Sequence, residues 1–405
     1  MSHKRIVIIT NEYAPVPAVR GGAVENLTEE LLRRNELNPE FHFMVYTPTE
    51  PEAAKVASQY EHSEFHFISR SCNGIGEKVE YGLRRFTNRF NRNHFHDPYI
   101  DHVVAELRKI YTPGMILIVE HASLFTLPLR EAFPEAKIIL HLHNDWVNVD
   151  SVYCRPIVRA VNQFWAVSKY IKKRTLTCGD SDVRLLYNGV EERFYTPADV
   201  NSLNDLRKKL GISPQTRVIL FAGRLNREKG IRKLVEAYGK LEKENILLLI
   251  LGGINYMDNT MTGYAKALYE ECAKSPNPIQ FTGYIPYESI PLYYRLAKVC
   301  VMPSEFEEPF GMVAAEALAC GVPVIATKAG GLPEIITPDC GILIENDAHV
   351  TENLIPAMEK LLNEQEVWAR MKVAAEIQAR KFTSSARFAE FCKLLNDACR
   401  QEAVR

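Results

Sequence analysis

The stretch VMPSEFEEPFGMVAAEALACGVPVIATKAGG, residues 301–331, reads as an apolar strand, an acidic loop, a short helix and a second apolar strand. In a parallel α/β sheet, ligands lie beyond the carboxyl ends of the strands, and a helix that begins there directs its free backbone N–H groups at an anion. Gly311 lets a ligand approach the backbone closely, and Gly321 is suited to end the helix after Cys320. The stretch predicts a parallel α/β sheet with an anion-binding helix start.

Two glutamates lie at different depths beside that helix start. Glu308 precedes the helix, whose first turn suits Pro309, and Glu316 falls roughly two turns beyond Glu308, at about 3.6 residues per turn. A helical glutamate usually faces solvent, but the neighbours of Glu316 are apolar on nearly every side, so we expect it to be partly buried and to need a partner. Glu305 and Glu307 have no such neighbours, and we expect them to be solvated. Carboxylates beside an anion site favour a ligand with hydroxyls and phosphates, such as a sugar nucleotide.

Short apolar strands alternate with helical patterns in both halves of the chain. Continuously apolar strands separated by helices are typical of parallel sheets that are covered on both faces. The sequence therefore predicts an α/β protein with two Rossmann-like parallel-sheet domains. The predicted strands are RIVIIT, FHFMVYT, MILIVE, KIILHLH, QFWAVS and RLLYNGV in the first half, and RVILFAG, ILLLILGG, IQFTGY, VCVMPS, VPVIAT and GILIE in the second.

The length of 405 residues also favours two or three domains, at about 150 residues each. Segment 191–216 mixes prolines and charges without a strand pattern, which favours a boundary there. We predict one Rossmann-like domain over residues 1–195, a second over 196–382, and a C-terminal helix within 383–405 that crosses back to the first domain.

The composition is that of a globular protein, with 46% hydrophobic and 24% charged residues. A formal net charge of −1 gives no overall bias toward nucleic acid. The nine cysteines are scattered without metal-like spacing, so we expect a reduced, cytoplasmic chain. No stretch approaches the roughly 20 apolar residues that span a bilayer, and we expect a protein that is soluble or peripheral to the inner face of a membrane.

Two cations follow the first strand of the predicted second domain. Arg224 lies directly after RVILFAG, and Lys229 precedes a helix that begins near Ile231. A guanidinium and an ammonium on one loop can clamp a diphosphate, and one pair of unit charges about 4 Å apart contributes roughly 4 kcal/mol at an effective dielectric near 20. A solvated charged loop is the alternative. The glutamate-bearing helix in the same predicted domain favours the clamp.

Three segments together resemble the retaining glycosyltransferases of family 4, which have the GT-B architecture of two Rossmann-like domains with an interdomain cleft. The segments are LLYNGVEERFYTP, RVILFAGRLNREKGI and SEFEEPFGMVAAEALACGVPVIATKAGGLPEII. The resemblance covers most of the chain and is strongest over residues 165–344. It implies that residues 1–195 bind the acceptor and residues 196–382 bind the nucleotide-sugar donor.

The resemblance also implies roles for individual residues of the second domain. Arg224 and Lys229 would hold the donor diphosphate, and Glu308 would hold hydroxyls of the transferred sugar. Glu316 would hold the ribose hydroxyls. Backbone N–H groups of Gly311, Met312 and Val313 would complete the phosphate site. Tyr284 and Ile285, at the end of IQFTGY, would line the nucleobase.

The loop VRGGAVENL of the first domain lacks the G-x-G-x-x-G pattern, which argues against a hydride-transfer enzyme. A glycine pair before a helix is usually only a turn. In the resembled family this loop faces the donor phosphate and the acceptor, which implies a role for Gly22.

The strand KIILHLH ends in two histidines on one face. In the family a histidine at this strand end contacts the donor sugar, and His143 matches it, whereas we expect His141 to be a partly buried core histidine. An H-x-H pair could bind metal, but no third ligand is evident, and we predict no metal site. The triplet Asp180-Ser181-Asp182 spells D-x-D but lies in a turn before a strand, so we expect it to bind no cation.

The segment 77–99 interleaves arginines and lysines with aromatic residues. Such a helix can rest on an anionic membrane surface, where each cation contributes on the order of 1 kcal/mol. A helix packed on the core, or a site for an acceptor phosphate, would give the same pattern, and the sequence leaves all three open.

The sequence as a whole predicts a metal-independent, retaining glycosyltransferase with Arg224, Lys229, His143 and Glu308 as candidate catalytic residues. It needs no cofactor beyond a nucleotide-diphospho-sugar co-substrate, for which a UDP-sugar is favoured, and it transfers a hexose-type sugar to a glycan or lipid-linked hydroxyl in surface polysaccharide or glycolipid synthesis. The alternatives are a GT-B epimerase, and a non-catalytic coat or scaffold protein that binds sugar nucleotides.

Overall fold

The computed structural model describes residues 5–70, 94–253 and 263–400. The chain forms two compact units, which are Met1–Tyr187 with Ser385–Arg405, and Asn188–Ser384.

The first unit contains a parallel sheet. Its strands are β1 (Arg5–Ile9), β2 (His42–Pro48), β3 (Ser63–Ile68), β4 (Ile116–Glu120), β5 (Lys137–Leu142), β6 (Gln163–Ala166) and β7 (Val183–Leu185). They pair in parallel in the order β3-β2-β1-β4-β5-β6-β7. Strands β4 and β5 lie in the middle of this order, and nearly all of their residues are buried. This explains why their sequences are apolar without alternation.

The helices of the first unit connect these strands. They are α1 (Ala23–Leu37), α2 (Pro51–Ala57), α3 (Pro98–Leu107), α4 (Thr126–Ala132), α5 (Cys154–Ala160) and α6 (Lys169–Leu176). Two of them begin at side-chain caps: Asp97 accepts a hydrogen bond from the N–H of Tyr99 at the start of α3, and Ser168 accepts one from Ile171 at the start of α6. Such caps satisfy backbone donors that have no partner within the helix.

The second unit contains a six-stranded parallel sheet. Its strands are β8 (Arg217–Ala222), β9 (Ile246–Leu251), β10 (Ile279–Gly283), β11 (Ala297–Met302), β12 (Val324–Thr327) and β13 (Gly341–Ile344). They pair in the order β10-β9-β8-β11-β12-β13. The helices are α7 (Val200–Leu210), α8 (Ile231–Gly239), α9 (Gly263–Cys272), α10 (Ile290–Leu296), α11 (Met312–Ala319), α12 (Leu332–Ile335), α13 (Val350–Asn363) and α14 (Gln365–Ala379).

The last helix, α15 (Ser384–Arg400), packs in the core of the first unit. Its Phe391 and Leu395 are fully buried, and they cluster with Ile6, Ile139 and Trp165 of the sheet. The ring of Phe391 lies edge-on to Trp165, with ring centroids 5.3 Å apart. The predicted fold class, α/β with two Rossmann-like parallel sheets, is confirmed.

Two features of the first unit differ from the sequence predictions, namely strand β3 and a disulfide. Strand β3 was not predicted, because its residues alternate in burial at the edge of the sheet and mix Ser63 and Glu64 with aromatic residues. Segment 191–216 contains a helix, α7, which Asp199 caps at its start and Gly211 ends in the left-handed conformation.

The cysteines are not all reduced, contrary to prediction: Cys154 and Cys178 form a disulfide that joins the start of α5 to the turn after α6. Six further cysteines in the described ranges are free and buried.

Among the described helices, none combines the length and the apolar character that crossing a membrane would require. Most of segment 77–99, for which membrane contact was one of three interpretations left open, lies outside the described residues.

Candidate functional site

The strand order of the second sheet reverses between β8 and β11, which are neighbours. At such a switch point the loops after the two strands leave in opposite directions and open a crevice at the carboxyl edge. The loop after β8 carries Arg224 and Lys229, and the loop after β11 carries Glu308. The topology therefore places the predicted cations and this glutamate at one edge of the sheet.

Lys229 and Glu308 make direct contact. The Nζ atom of Lys229 lies 2.8 Å from Oε1 of Glu308, and the hydroxyl of Ser304 donates to the same oxygen at 2.6 Å. Glu308 is 5% exposed, so its carboxylate needs both donors. Lys229 also lies over the ring of Phe306, with Nζ 4.6 Å from the ring centroid. This ion pair joins the two loops at the switch point.

The second oxygen of Glu308, Oε2, accepts no hydrogen bond from any residue in the part of the chain that the structure describes. An ionised carboxylate has about four lone-pair sites, so Glu308 keeps acceptor capacity for a hydroxyl. The ammonium of Lys229 has three N–H donors, of which Glu308 takes one. Both side chains can bind a further polar group without leaving each other.

Arg224 is exposed at the start of the same loop. Within the described ranges its guanidinium has no ion pair or hydrogen bond, and only its backbone carbonyl is bonded, to the N–H of Asn226. An unpaired guanidinium at a strand end can bind a phosphate oxygen pair.

Gly230 holds the loop after β8 against the loop after β11. Its φ is 65°, and a Cβ atom built on it would lie 1.8 Å from the carbonyl oxygen of Pro303. A backbone N–H of Glu305 also donates to the carbonyl of Glu228 at 2.8 Å. The close approach needs a residue without a side chain and fixes the position of Lys229 beside Glu308.

Helix α11 begins at Met312, after Gly311 in the left-handed conformation with a φ of 104°. Its first helical hydrogen bond runs from Ala315 to the carbonyl of Gly311 at 3.2 Å, which leaves the N–H groups of Met312 and Val313 outside the helical ladder. The prediction that Pro309 lies in the first turn is wrong, because the helix begins three residues later. The free N–H groups and the helix dipole make this end suited to an anion.

Glu316 lies in the middle of α11 and is 7% exposed, as its apolar neighbours predicted. The hydroxyl of Tyr287 donates to its Oε1 at 3.1 Å, and the hydroxyl of Tyr294 donates to its Oε2 at 3.0 Å. Burial raises the pKa of the Glu316 carboxyl from its ordinary value of 4.5 to about 7, and the two tyrosine hydrogen bonds limit the rise. The carboxyl therefore titrates near neutral pH.

The segment after β10 reaches Glu316 through Tyr287. Tyr284 is 57% exposed and Ile285 is partly buried, and both precede the short turn Tyr287–Ser289 that carries the hydroxyl donor. The segment that carries the predicted base-lining residues is thus tied to Glu316 by the hydrogen bond from Tyr287.

The remaining acidic loop residues have partners. Glu305 lies 4.0 Å from Lys233, and the exposed Glu307 accepts a hydrogen bond from the N–H of Gly330. The expectation of purely solvated charges is therefore wrong for Glu307. Its hydrogen bond ties the loop after β11 to the loop after β12.

In the first unit, Gly22 precedes α1 with a φ of 111°. A Cβ atom there would lie 2.1 Å from Oε2 of Glu25, a buried residue whose Oε1 accepts from the side chain of Asn11 at 2.7 Å. Burial raises the pKa of the Glu25 carboxyl. The loop of Gly22 is thus held at the carboxyl end of β1 by a buried polar pair.

His143 follows β5, and its side chain is 4% exposed. Its Nε2 atom lies 3.0 Å from Oε2 of Glu120, the last residue of β4, and Nδ1 of His141 lies 2.9 Å from the same oxygen. These three groups could hold a metal ion, since one ligand atom from each lies within 4.8 Å of the others. The sequence prediction that the histidine pair lacks a third partner is wrong, because Glu120 supplies it.

The D-x-D triplet is engaged in local contacts. Asp182 accepts a hydrogen bond from the side chain of Gln163 at 2.7 Å and pairs with Arg184. Gln163 lies in β6 and Arg184 in β7, so Asp182 links two neighbouring strands at the edge of the sheet.

Sequence reasoning missed four residues that hydrogen-bond to the predicted site residues. Ser304 follows the apolar strand β11, and Glu120 ends the apolar strand β4, so a polar residue at the end of a buried strand was the available signal for both. Tyr287 and Tyr294 lie 29 and 22 residues before Glu316, and only the folded sheet brings them to it.

The chain is similar to known proteins in sequence and in fold. Residues 203–378 match the model of the family "Glycosyl transferases group 1". Spore coat protein SA of Bacillus subtilis (strain 168) is 25% identical over 384 residues, which cover 91% of this chain and 92% of that protein. A D-inositol 3-phosphate glycosyltransferase of Corynebacterium glutamicum (strain R) is 34% identical over 221 residues, which cover 53% of this chain and 52% of that protein.

Among solved structures, Anabaena HepE in complex with UDP-glucose is similar, with a TM-score of 0.76 and 17% identity over 98% of this chain and 100% of that chain. At this identity the likeness shows the fold. The family match over residues 203–378, together with the GT-B fold of the chain, supports a glycosyltransferase.

Proposed function

We propose that this chain is a metal-independent, retaining glycosyltransferase of family 4 that transfers a hexose from a nucleotide-diphospho-sugar to a hydroxyl acceptor. The observation that carries the proposal is the grouping at the carboxyl edge of the second sheet. There, a cation-bearing loop follows β8, and a carboxylate with a free oxygen, an open helix start and a buried carboxylate follow β11.

The positive charge of the site suits a diphosphate. Arg224 is unpaired within the described chain, Lys229 has spare N–H donors, and the start of α11 offers the N–H groups of Met312 and Val313. Hydrogen-bond donors and cations accelerate the reaction if they bind the leaving phosphate more strongly as negative charge develops on it. These residues can neutralise the leaving group without a metal ion.

The two carboxylates suit the two sugars of such a donor. Oε2 of Glu308 is open beside the Lys229 ammonium. This oxygen can accept a hydrogen bond from a sugar hydroxyl next to the proposed phosphate site. Glu316 lies deeper and is approached by the segment of Tyr284 and Ile285, which we propose to line the nucleobase. Glu308 would bind the transferred sugar and Glu316 the ribose.

In the proposed reaction, the bond between the anomeric carbon and the leaving phosphate oxygen breaks. A bond to the acceptor oxygen forms on the same face, and the acceptor proton passes to the departing phosphate oxygen. The first unit would bind the acceptor, and we propose Gly22 and His143 as its functional residues. UDP-glucose bound to HepE favours a UDP-hexose as the donor.

A non-catalytic role is the competing hypothesis. Spore coat protein SA, which the chain resembles over most of its length, is named for a coat. The unpaired Arg224 and the open oxygen of Glu308 leave capacity to bind a donor in either role, and turnover of the donor decides between them.

Donor binding and turnover test the proposal together. The chain is screened by thermal shift against UDP-, GDP- and ADP-sugars, where a donor at about 100 times its Kd should add about 2.7 kcal/mol of stability. Donor hydrolysis is then compared for wild type and Arg224→Ala. We expect the variant to lose about 100-fold to 1,000-fold in kcat, by analogy with the deletion of one oxyanion-site donor.

Arg227→Ala is the matched control, because Arg227 is exposed on the same loop. Equal activity of the two variants would refute the clamp. Binding of a donor without hydrolysis or transfer would favour the scaffold, and failure of every donor to stabilise the chain would refute the proposal.

A further inference from the structure

A compact cluster of buried polar groups lies at the carboxyl edge of the first sheet. Oε2 of Glu120 is 2.9 Å from Nδ1 of His141 and 3.0 Å from Nε2 of His143, and the two nitrogens are 3.2 Å apart. Glu120 is 2% exposed and His141 is fully buried. The family match covers residues 203–378 and does not include this cluster.

The distances determine where the histidine protons lie. A carboxylate oxygen only accepts hydrogen bonds, so an unprotonated ring nitrogen at 3.0 Å would oppose one lone pair to another. Both facing nitrogens must therefore carry protons, on Nδ1 of His141 and on Nε2 of His143. In a neutral ring the proton on Nε2 leaves Nδ1 of His143 as an acceptor.

A metal ion fits the cluster less well than hydrogen bonds do. If Nδ1 of His141 bound a metal, its proton would lie on Nε2, which is buried and has no partner in the described chain. Histidines that bind metals almost always donate their other N–H to a partner.

The surroundings support an ionised Glu120. Burial alone would raise the pKa of its carboxyl, but the interactions with His141 and His143 outweigh burial and hold the pKa well below its usual range. Arg387 of α15 is buried in the same unit and is attracted to Glu120, which partly offsets the lowering of the Arg387 pKa by burial. Burial also lowers the pKa of His143 to about 3, so its ring is neutral at physiological pH.

We infer that Glu120, together with His141, is a positioning residue for His143: it fixes the ring in the Nε2–H form, with Nδ1 left to accept a hydroxyl of the substrate. This role rests on the proposed function, in which His143 is a functional residue of the first unit. Since the Nε2–H group of His143 donates to Oε2 of the buried Glu120 at 3.0 Å, the ring cannot rotate or change tautomer without breaking this hydrogen bond. Preorganisation of this kind removes reorientation from the reaction.

Nitrogen NMR of the intact chain tests the inference without turnover. Long-range proton–nitrogen correlation on histidine-labelled protein reports which ring nitrogen carries the proton, and His143→Asn assigns the signals. We expect Nε2–H for His143 and Nδ1–H for His141. A proton on Nδ1 of His143 would overturn the inference.

Glu120→Met removes the oxygen that accepts from both rings at a similar side-chain volume, which leaves the two ring nitrogens, 3.2 Å apart, to bond to each other. One ring should then change tautomer, and kcat for sugar transfer should fall about tenfold to 100-fold, as for a misplacement of about 1 Å, while KM for the donor changes little. Glu120→Asp keeps the carboxylate and should retain the wild-type tautomers with an intermediate kcat.

Glu131→Met is the matched control, because Oε2 of Glu131 also faces a histidine of the first unit, His94, at 3.0 Å, but on the exposed surface. It should change neither the buried signals nor kcat. Wild-type tautomers and kcat in Glu120→Met would contradict the positioning role. So would stoichiometric Zn²⁺ or Co²⁺ binding by untagged wild type, with d–d absorption for cobalt that is lost in Glu120→Met.

The two proposals fail in different ways. If the tautomers are as expected but no sugar nucleotide binds, the glycosyltransferase proposal is refuted and the role of Glu120 falls with it. If sugar nucleotides bind and turn over but the tautomers differ, only the inference about Glu120 is refuted.

Discussion

Replacing Glu316 by glutamine should stabilise the second unit at alkaline pH and remove donor binding at the same time. The pKa of Glu316 lies at about 7 in the folded chain against an ordinary value of 4.5. The difference is about 2.5 pH units at about 1.36 kcal/mol each, so ionising this residue costs about 3 kcal/mol more in the folded than in the unfolded chain.

The sign follows from which state holds the proton. Between pH 4.5 and pH 7 the unfolded chain has lost the Glu316 proton and the folded chain has kept it, so stability falls as the pH rises through this window. Glutamine does not titrate. We expect Glu316→Gln and wild type to be similar at about pH 4.5, and the variant to be more stable by about 3 kcal/mol at about pH 8. Calorimetry should show this as a rise of roughly 6–12 °C in Tm of the second unit.

The same substitution tests the ribose role. A carboxamide cannot replace an ionised carboxylate as an acceptor of two hydroxyls, so the thermal shift caused by the donor should disappear in Glu316→Gln while intrinsic stability rises. Glu270→Gln, at an exposed glutamate of α9, is the matched control and should alter neither quantity. A variant that is less stable than wild type at about pH 8 would show that the carboxylate is not strained by burial. An unchanged donor shift would remove Glu316 from the ribose site.

Three further outcomes follow from the second unit. A double-mutant cycle with Lys229→Met and Glu308→Gln should give a coupling energy of about 1–3 kcal/mol in urea unfolding, because the pair is largely buried; additive effects would contradict the contact. Gly230→Ala should be more destabilising than Gly211→Ala, since both have a φ of 65° but only the first places a Cβ against a backbone carbonyl; equal midpoints in urea would disprove the close approach. Tyr287→Phe removes a hydrogen bond that favours the ionised glutamate of α11, so pH-dependent unfolding should show the pKa of that carboxyl rising further above 7, and a fall would contradict the assignment.

The sheets could be predicted because burial on both faces makes their strands continuously apolar. Ile116–Glu120 and Ile246–Leu251 are buried along their whole lengths, and their sequences show it directly. The edge strand Ser63–Ile68 is only partly buried, and its mixed polarity hides it. The burial of Glu316 was predictable for the same reason, because its neighbours on α11 are apolar all round.

The hydrogen-bond partners could not be predicted, because they come from distant parts of the chain. Tyr294 reaches Glu316 from α10, and Glu120 reaches His143 from a neighbouring strand. A sequence shows that a buried carboxylate needs donors, but the strand order decides which donors are near. The disulfide between Cys154 and Cys178 is similar, since only the fold brings the two cysteines together.

Three buried carboxylates each accept hydrogen bonds from two side-chain donors, and the kind of donor differs among them. Glu120 is held by two imidazole donors that keep its pKa low, whereas Glu316 is held by two phenols, which stabilise its charge too weakly to offset burial. Glu308, the third, is held by an ammonium and a hydroxyl. Donor affinity should therefore fall about tenfold for each pH unit below 7, as Glu316 takes up a proton. Isothermal titration at several pH values should give this slope, and a flat profile would mean that Glu316 enters the donor complex protonated.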